Sequence, residues 1–439
     1  MLPDPTLTFT LPSVHDDTVL DCRVFHPYSL SPSPSAPPWK RHAAIVAHPY
    51  APMGGCYDDP VVDTIGEALL RAGFLVATFN FRGASKSAGK TSWTGRPEQG
   101  DYMSLVGFMV YYVHYLDPYG LVNCGATGIV SHDDAETPIF LSAGYSYGAL
   151  ITSRLPPLGH ILSQFAGPVE TSAAGEIRLR AQHLAEQQNS WLSQARASRT
   201  LAPATPRSMR VGGDEGEQRR SSDMRRSQSP HTEDKLRRGV SELLARTRHR
   251  RSSSHRRSKS GLHRHEEVRP AAQKAEQPAV QLQHLEPVPD LVKVRPAYLL
   301  VSAPQGAYNH LLTLSFFQNP GSTIFSRPKP QGNEGEAAAE GAAEGAASEE
   351  VVVTDHEAAE AKLARNTTLA VYGDRDVFGS ASKNRAWARR LQDVEGSQFR
   401  AVEVHGAGHF YTEGRTLYVL QEAVTAFASG LLGHADGAK

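Results

Sequence analysis

The chain lacks the features that mark several large functional classes. Its 439 residues hold three cysteines, Cys22, Cys56 and Cys124, with no C-x-x-C pair and no metal-ligand spacing. So sparse and odd a count supplies no disulfide framework and fits a reducing compartment. Charge of one sign is missing too. Lys and Arg total 46, Asp and Glu total 46, and no global field draws the protein to nucleic acid or a membrane. No apolar run approaches the length that crosses a bilayer. The opening Met1-Leu-Pro-Asp-Pro-Thr has no basic flank followed by an apolar stretch, so no secretory leader is expected. These absences predict a cytoplasmic protein, and none of the motifs implies a metal or organic cofactor.

Apolar residues are also scarce, at 40 %, but the deficit lies in the middle of the chain. The two ends read as ordinary folded sequence, and together they supply roughly 250 to 300 residues, enough for one large α/β domain. Thr6 to Leu11 and Thr18 to Phe25 read as strands joined by the turn residues Ser13 to Asp17. Short continuous apolar runs follow at His42–His48, Phe74–Asn80 and Pro138–Ala143. Helical segments expected near 59–72, 101–115 and 147–155 alternate with them. Strands apolar on both faces, alternating with helices, predict a parallel sheet covered on both sides. The pattern resumes at Ala297–Ser302 and continues through Thr368–Tyr372, a helix near 382–392, Phe399–Val404 and a closing helix over 416–431.

Between the two halves lies a long excursion. Residues 170–196 carry Ile177, Ala181, Leu184, Trp191, Leu192 and Ala195 at helical spacing, which predicts one amphipathic helix. From about 201 to 286 the chain is polar and basic with few aromatics, a composition that cannot offset ordering entropy. The predicted organisation is a first core part over 1–168, an insert over 169–290 and a second core part over 291–433. The second part contains a loose acidic Ala/Gly/Glu insert at about 328–352.

Gly144-Tyr-Ser-Tyr-Gly148 matches G-x-S-x-G, a common pattern by itself. Its position gives it meaning, because it ends an apolar strand and begins a helix, as a nucleophile elbow requires. A serine hydroxyl at neutral pH needs a base that is itself oriented by a carboxylate. The order Ser, acid, His is met by Gly373-Asp-Arg-Asp-Val377 and His405-Gly-Ala-Gly-His409, each just past a strand. Asp376 lies further beyond its strand end than Asp374, which could hold the turn. The arch of Gly406 and Gly408 can project His409 back toward Ser146, whereas His405 adjoins its strand. The expected triad is Ser146, Asp376 and His409. For the oxyanion, the Tyr147 N–H follows the nucleophile directly. In the loop His48 to Gly55, Pro49 and Pro52 have no N–H, which leaves Tyr50 as the second donor, with Ala51 next.

With these residues in view, the sequence resembles a branch of the α/β-hydrolase superfamily. His48-Pro-Tyr-Ala-Pro-Met-Gly-Gly55 is similar to the H-P-H-P-x-x-G-G loop of small bacterial hydrolases, and Phe79-Asn-Phe-Arg-Gly83 to their F-N-F-R-G segment. The resemblance covers roughly residues 40 to 155 and 295 to 430, and the long insert is similar to that of fungal members. It implies an α/β-hydrolase fold, mostly parallel and doubly wound with antiparallel N-terminal strands. It also implies a serine hydrolase acting on small acyl substrates, esters or thioesters. Tyr50 departs from the usual His, and Ala84 and Ser85 stand where the pattern has another residue and its second glycine, so no substrate-binding residue carries over. A peptidase or amidase of the same fold is the alternative enzyme, and a silent hydrolase-fold scaffold the alternative of another class. Arg82 is expected to anchor structure through a carboxylate.

The insert contains Arg248-His-Arg-Arg-Ser-Ser-Ser-His-Arg-Arg-Ser-Lys-Ser260, preceded by Arg219-Arg220 and Arg225-Arg226. Such a tract fits a basophilic kinase, nuclear import or an anionic partner, and equally a solvated loop with none. Without aromatic interleaving or a nucleic-acid fold signature, no specific nucleic-acid partner is expected. The helix at 170–196 follows the nucleophile helix closely enough to suggest a cap over the site.

Overall fold

A computed structural model describes residues 1–120, 137–201, 283–304 and 360–433. Cys124, the basic tract at 248–260, the arginine pairs before it and the acidic insert at 328–352 lie outside the described residues.

Eight strands form one sheet in the order β1-β2-β4-β3-β5-β6-β7-β8. They are β1 (Leu7–Pro12), β2 (Val19–Phe25), β3 (Ala43–Ala47), β4 (Leu75–Phe79), β5 (Ile139–Tyr145), β6 (Arg295–Val301), β7 (Thr367–Gly373) and β8 (Phe399–Val404). The two antiparallel pairings both involve β2, which pairs Val24 with Leu7 of β1 and Cys22 with Phe79 of β4. Every residue of β3, β4 and β5 is buried, because successive side chains alternate between two covered faces.

One face packs against α1 (Pro60–Ala72) and α7 (Thr416–Leu431), and Val62, Ile65, Leu420 and Val424 share one buried cluster with Val46, Val76, Leu369 and Val404 there. The other face carries α2 (Arg96–Tyr115), α3 (Tyr147–Arg154), α4 (Leu158–Ala166), α5 (Ala173–Leu201) and α6 (Ala381–Gln392). Helix α2 begins five residues ahead of the expected start, because Gly95 turns in the left-handed region and proline occupies the first turn. The nine-residue α4 was not anticipated, although Leu158, Ile161, Leu162 and Phe165 keep helical spacing. The chain returns to the sheet through helical residues 360–365. There Lys362 donates to the carbonyls of Thr152 (3.2 Å), Ser153 (3.2 Å) and Leu155 (2.7 Å) at the end of α3.

Helix α5 occupies the stretch read as a cap, and it is part of the wall of the domain instead. Ile177 and Leu184 are buried in the cluster built on α2, and Leu192 further along the helix is buried as well. The Asn189 side chain donates to the Tyr115 carbonyl at 2.8 Å and accepts from the Asp117 amide at 2.8 Å. Arg180 donates to the Thr10 carbonyl of β1. Each fully buried Leu or Ile contributes about 1.5 to 3 kcal/mol, so lifting three of them costs more than an easily opened lid allows. Trp191, read as part of the apolar stripe, is 54 % exposed. Among the described residues, no helix is long and apolar enough to cross a membrane.

Candidate active site

The carboxyl ends of β3, β5, β7 and β8 converge on one cleft, beside the point where the chain crosses from β4 back over β3 to β5. At its centre β5 turns into α3. Ser146, at φ 54° and ψ −116°, occupies that turn with only 7 % of its surface exposed. Few residues other than glycine adopt such a conformation, and it persists because the surroundings enforce it. A Cβ on Gly144 would lie 2.3 Å from the Gly148 carbonyl carbon, and one on Gly148 would lie 2.5 Å from the Ala47 oxygen. Both flanking positions therefore exclude any side chain. The Ser146 amide donates to the Val301 carbonyl at 2.8 Å, tying the turn to β6.

The Ser146 hydroxyl lies 2.8 Å from His409 Nε2. His409 Nδ1 lies 2.9 and 2.8 Å from the two carboxylate oxygens of Asp376. Asp376 also accepts the amides of Phe378 (2.8 Å) and Gly379 (3.2 Å) on Oδ1. An ionised carboxylate only accepts, so the proton sits on Nδ1 and Nε2 is left to accept from the serine hydroxyl. All three side chains are buried.

The loop that carries His409 is pinned along its length. The Gly406 amide donates to Asp374 Oδ1 (2.7 Å), the Gly408 amide to Glu413 (3.1 Å), and the Tyr145 hydroxyl to the His409 carbonyl (2.9 Å). Asp374 thus holds the turn. His405 stands 92 % exposed, paired to Asp374 at 2.7 Å and outside the Ser146 chain of contacts. The rings of Phe378 (4.7 Å), Phe410 (5.3 Å) and Tyr145 (5.6 Å) surround the imidazole and restrict its rotation.

The residues expected to donate to an oxyanion sit near Ser146. Tyr147 is the first residue of α3, where an N–H has no helical partner, and Tyr50 precedes a short 3-10 turn, Ala51–Met53. Neither amide donates a hydrogen bond among the described residues. Their rings meet edge to face at 5.2 Å. His48 fixes this loop from below: Nδ1 donates to the Pro49 carbonyl (2.6 Å) and Nε2 accepts from the Phe81 amide (2.8 Å). Burial pushes its pKa down to about 4, with the Pro49 carbonyl opposing, so the ring is neutral. Arg82 is buried away from the cleft, donating to both oxygens of Asp101 (3.0 and 2.6 Å) and to Asp16 (2.8 Å). Burial works against its charge, and those two carboxylates outweigh it and raise its pKa.

The cleft encloses a cavity of about 100 Å³ lined by Ser146, His409, Tyr50, Asp59, Phe378 and Phe410 among others. Helix α5 contributes nothing to it. Asp59, Phe378 and Phe410 were not singled out from the sequence. Phe410 adjoins His409, which could have flagged it, whereas Asp59-Pro60 reads simply as a helix start. No group of three metal-ligating side chains occurs among the described residues.

A strained serine at a strand-to-helix elbow, on a mostly parallel eight-stranded sheet in this order, defines the α/β-hydrolase fold. No protein-family model matches the chain, and no curated protein matches it. Solved structures do. One is an α/β serine hydrolase homologue from Coxiella burnetii, 12 % identical, with a TM-score of 0.38 and coverage of 97 % of this chain and 99 % of that one. Another is an α/β serine hydrolase without lid from Xanthomonas campestris, 14 % identical, with a TM-score of 0.39 and coverage of 98 % and 96 %. A third is Est1E from Butyrivibrio proteoclasticus bound to ferulic acid, 11 % identical, with a TM-score of 0.38 and coverage of 97 % and 99 %.

Proposed function

We propose that the protein is a serine hydrolase that cleaves carboxylic esters or thioesters through an acyl-enzyme, with a core built from residues 1–168 and 291–433. Ser146 attacks the carbonyl carbon while His409 Nε2 takes the hydroxyl proton, and Asp376 holds the imidazole and balances its positive charge. The amides of Tyr147 and Tyr50 receive the oxyanion. The imidazolium then protonates the leaving oxygen or sulfur, and a water activated by the same nitrogen releases the acid. The observation that carries this reading is the unbroken chain Ser146 Oγ to His409 Nε2 to Asp376, at 2.8 Å for each of its shortest links.

The test is labelling with a fluorophosphonate probe, which reports an activated serine whatever the natural substrate. Wild type labels, and Ser146→Ala and His409→Ala do not. Folded wild-type protein that stays unlabelled would sink the reading and favour a silent scaffold.

A further inference from the structure

One charged group in the cavity wall is not used by the chemistry above. Asp59 lines the cavity together with Ser146 and His409, half-buried at the head of α1. Its Oδ1 accepts the Val61 amide at 2.8 Å as a helix cap. The donors to this carboxylate among the described residues are backbone amides, and the neighbouring cation Arg23 is paired with Asp58 instead. Apart from His409, the other side chains lining the cavity, Tyr50, Met53, Phe378 and Phe410 among them, carry no charge. Burial raises the Asp59 pKa while the backbone amides of the cap and the imidazole of His409 oppose that rise. The Tyr145 phenol is pushed up in turn by its own burial and by Asp59. Asp59 therefore lies within electrostatic range of the reacting groups. A cap needs only one oxygen, which Ser, Thr or Asn supplies equally well without desolvating a charge. The helix dipole favours a negative charge at this cap, and the same charge also lines the cavity that holds Ser146 and His409.

We propose that Asp59 selects esters bearing a positive charge next to the scissile carbonyl, on the acyl or the alcohol side, and rejects those bearing a carboxylate there. This rests on the serine-hydrolase reading. A partly desolvated carboxylate gains a charge-assisted contact from an ammonium group and repels a second carboxylate in the same small space. One such contact corresponds to roughly ten-fold or more in kcat/KM.

The experiment measures kcat/KM on two matched pairs of small esters. The first pair is 4-nitrophenyl β-alaninate and 4-nitrophenyl butyrate, alike in size and different in charge. The second is acetylcholine and 3,3-dimethylbutyl acetate, which move the same contrast to the alcohol. Wild type is expected to favour the cationic member of at least one pair by about ten-fold, and Asp59→Asn, which keeps the capping oxygen, to bring that ratio close to one. A change in His409 reactivity common to all esters cancels in the ratio. Labelling of Ser146 with flat wild-type ratios, or ratios unmoved by Asp59→Asn, overturns the assignment of Asp59 alone. Absence of both labelling and turnover overturns the hydrolase reading and this one with it.

Discussion

Replacing Asp376 by Asn tests the orientation of the imidazole proposed as the base with almost no change in shape. Oδ1 of Asp376 accepts two backbone amides, from Phe378 and Gly379, while Oδ2 faces His409 Nδ1 at 2.8 Å. Two N–H donors demand an oxygen, so the amide oxygen of Asp376→Asn takes the Oδ1 position and its NH₂ group turns to His409. A donor now takes the shorter contact with Nδ1, leaving only the oxygen at 2.9 Å, already shared by two amides, to accept from the ring. A ring that accepts from the NH₂ carries its proton on Nε2, 2.8 Å from Ser146. In that tautomer the imidazole cannot take the serine proton. The loss expected from a wrong tautomer is about 10⁴-fold in kcat, or about 5 kcal/mol. The assay is hydrolysis of 4-nitrophenyl butyrate beside the second-order rate of fluorophosphonate labelling, with thermal unfolding to show that the fold is intact. A variant within ten-fold of wild type, or a larger loss from Asp374→Asn, would refute the reasoning.

Arg82→Met should cost about 3 to 5 kcal/mol in urea unfolding, because it strands the fully buried Asp101 carboxylate, and a loss below about 1 kcal/mol would contradict the pairing. His48 titrates at about 4 when folded against about 6.5 unfolded, so the unfolded chain takes up the extra proton between those values. The stability tied to neutral His48 is therefore complete above pH 6.5 and falls by about 3 kcal/mol as pH drops through 4. His48→Gln should show a shallower pH dependence between 7 and 4, and parallel curves for variant and wild type would count against a buried neutral ring.

Much of this arrangement was legible in the sequence because it is local. Gly144 to Gly148 announces its elbow by standing at the junction of an apolar run and a helix. The choice of Asp376 over Asp374 follows from distance past a strand end, and the structure gives each a separate partner, His409 and His405. What was not legible depends on where distant segments lie. The apolar face of residues 170–196 shows that the helix is covered without showing by what, and its partners α2 and β1 are up to about 170 residues earlier in the chain. Asp59 reads as a helix cap from its neighbours, and only the loop carrying His409, brought over from β8, turns it into the wall of a cavity. The Phe378 and Phe410 rings could be listed from sequence, but not their edge-on approach to the imidazole.

The separation of Ser146 from His409 by 263 residues bears on how the chain is made. Synthesis delivers the nucleophile early and its base near the end, with β6, β7 and β8 still to be docked between them. Each of those strands has to join in register before the last loop reaches the elbow, since a slip of two residues moves it by about 7 Å. Until then Ser146 is an ordinary alcohol, indifferent to the acyl compounds around the ribosome. On the proposed mechanism the hydroxyl becomes reactive only when the whole sheet is complete, so reactivity toward a serine-directed probe would double as a report that the fold has closed.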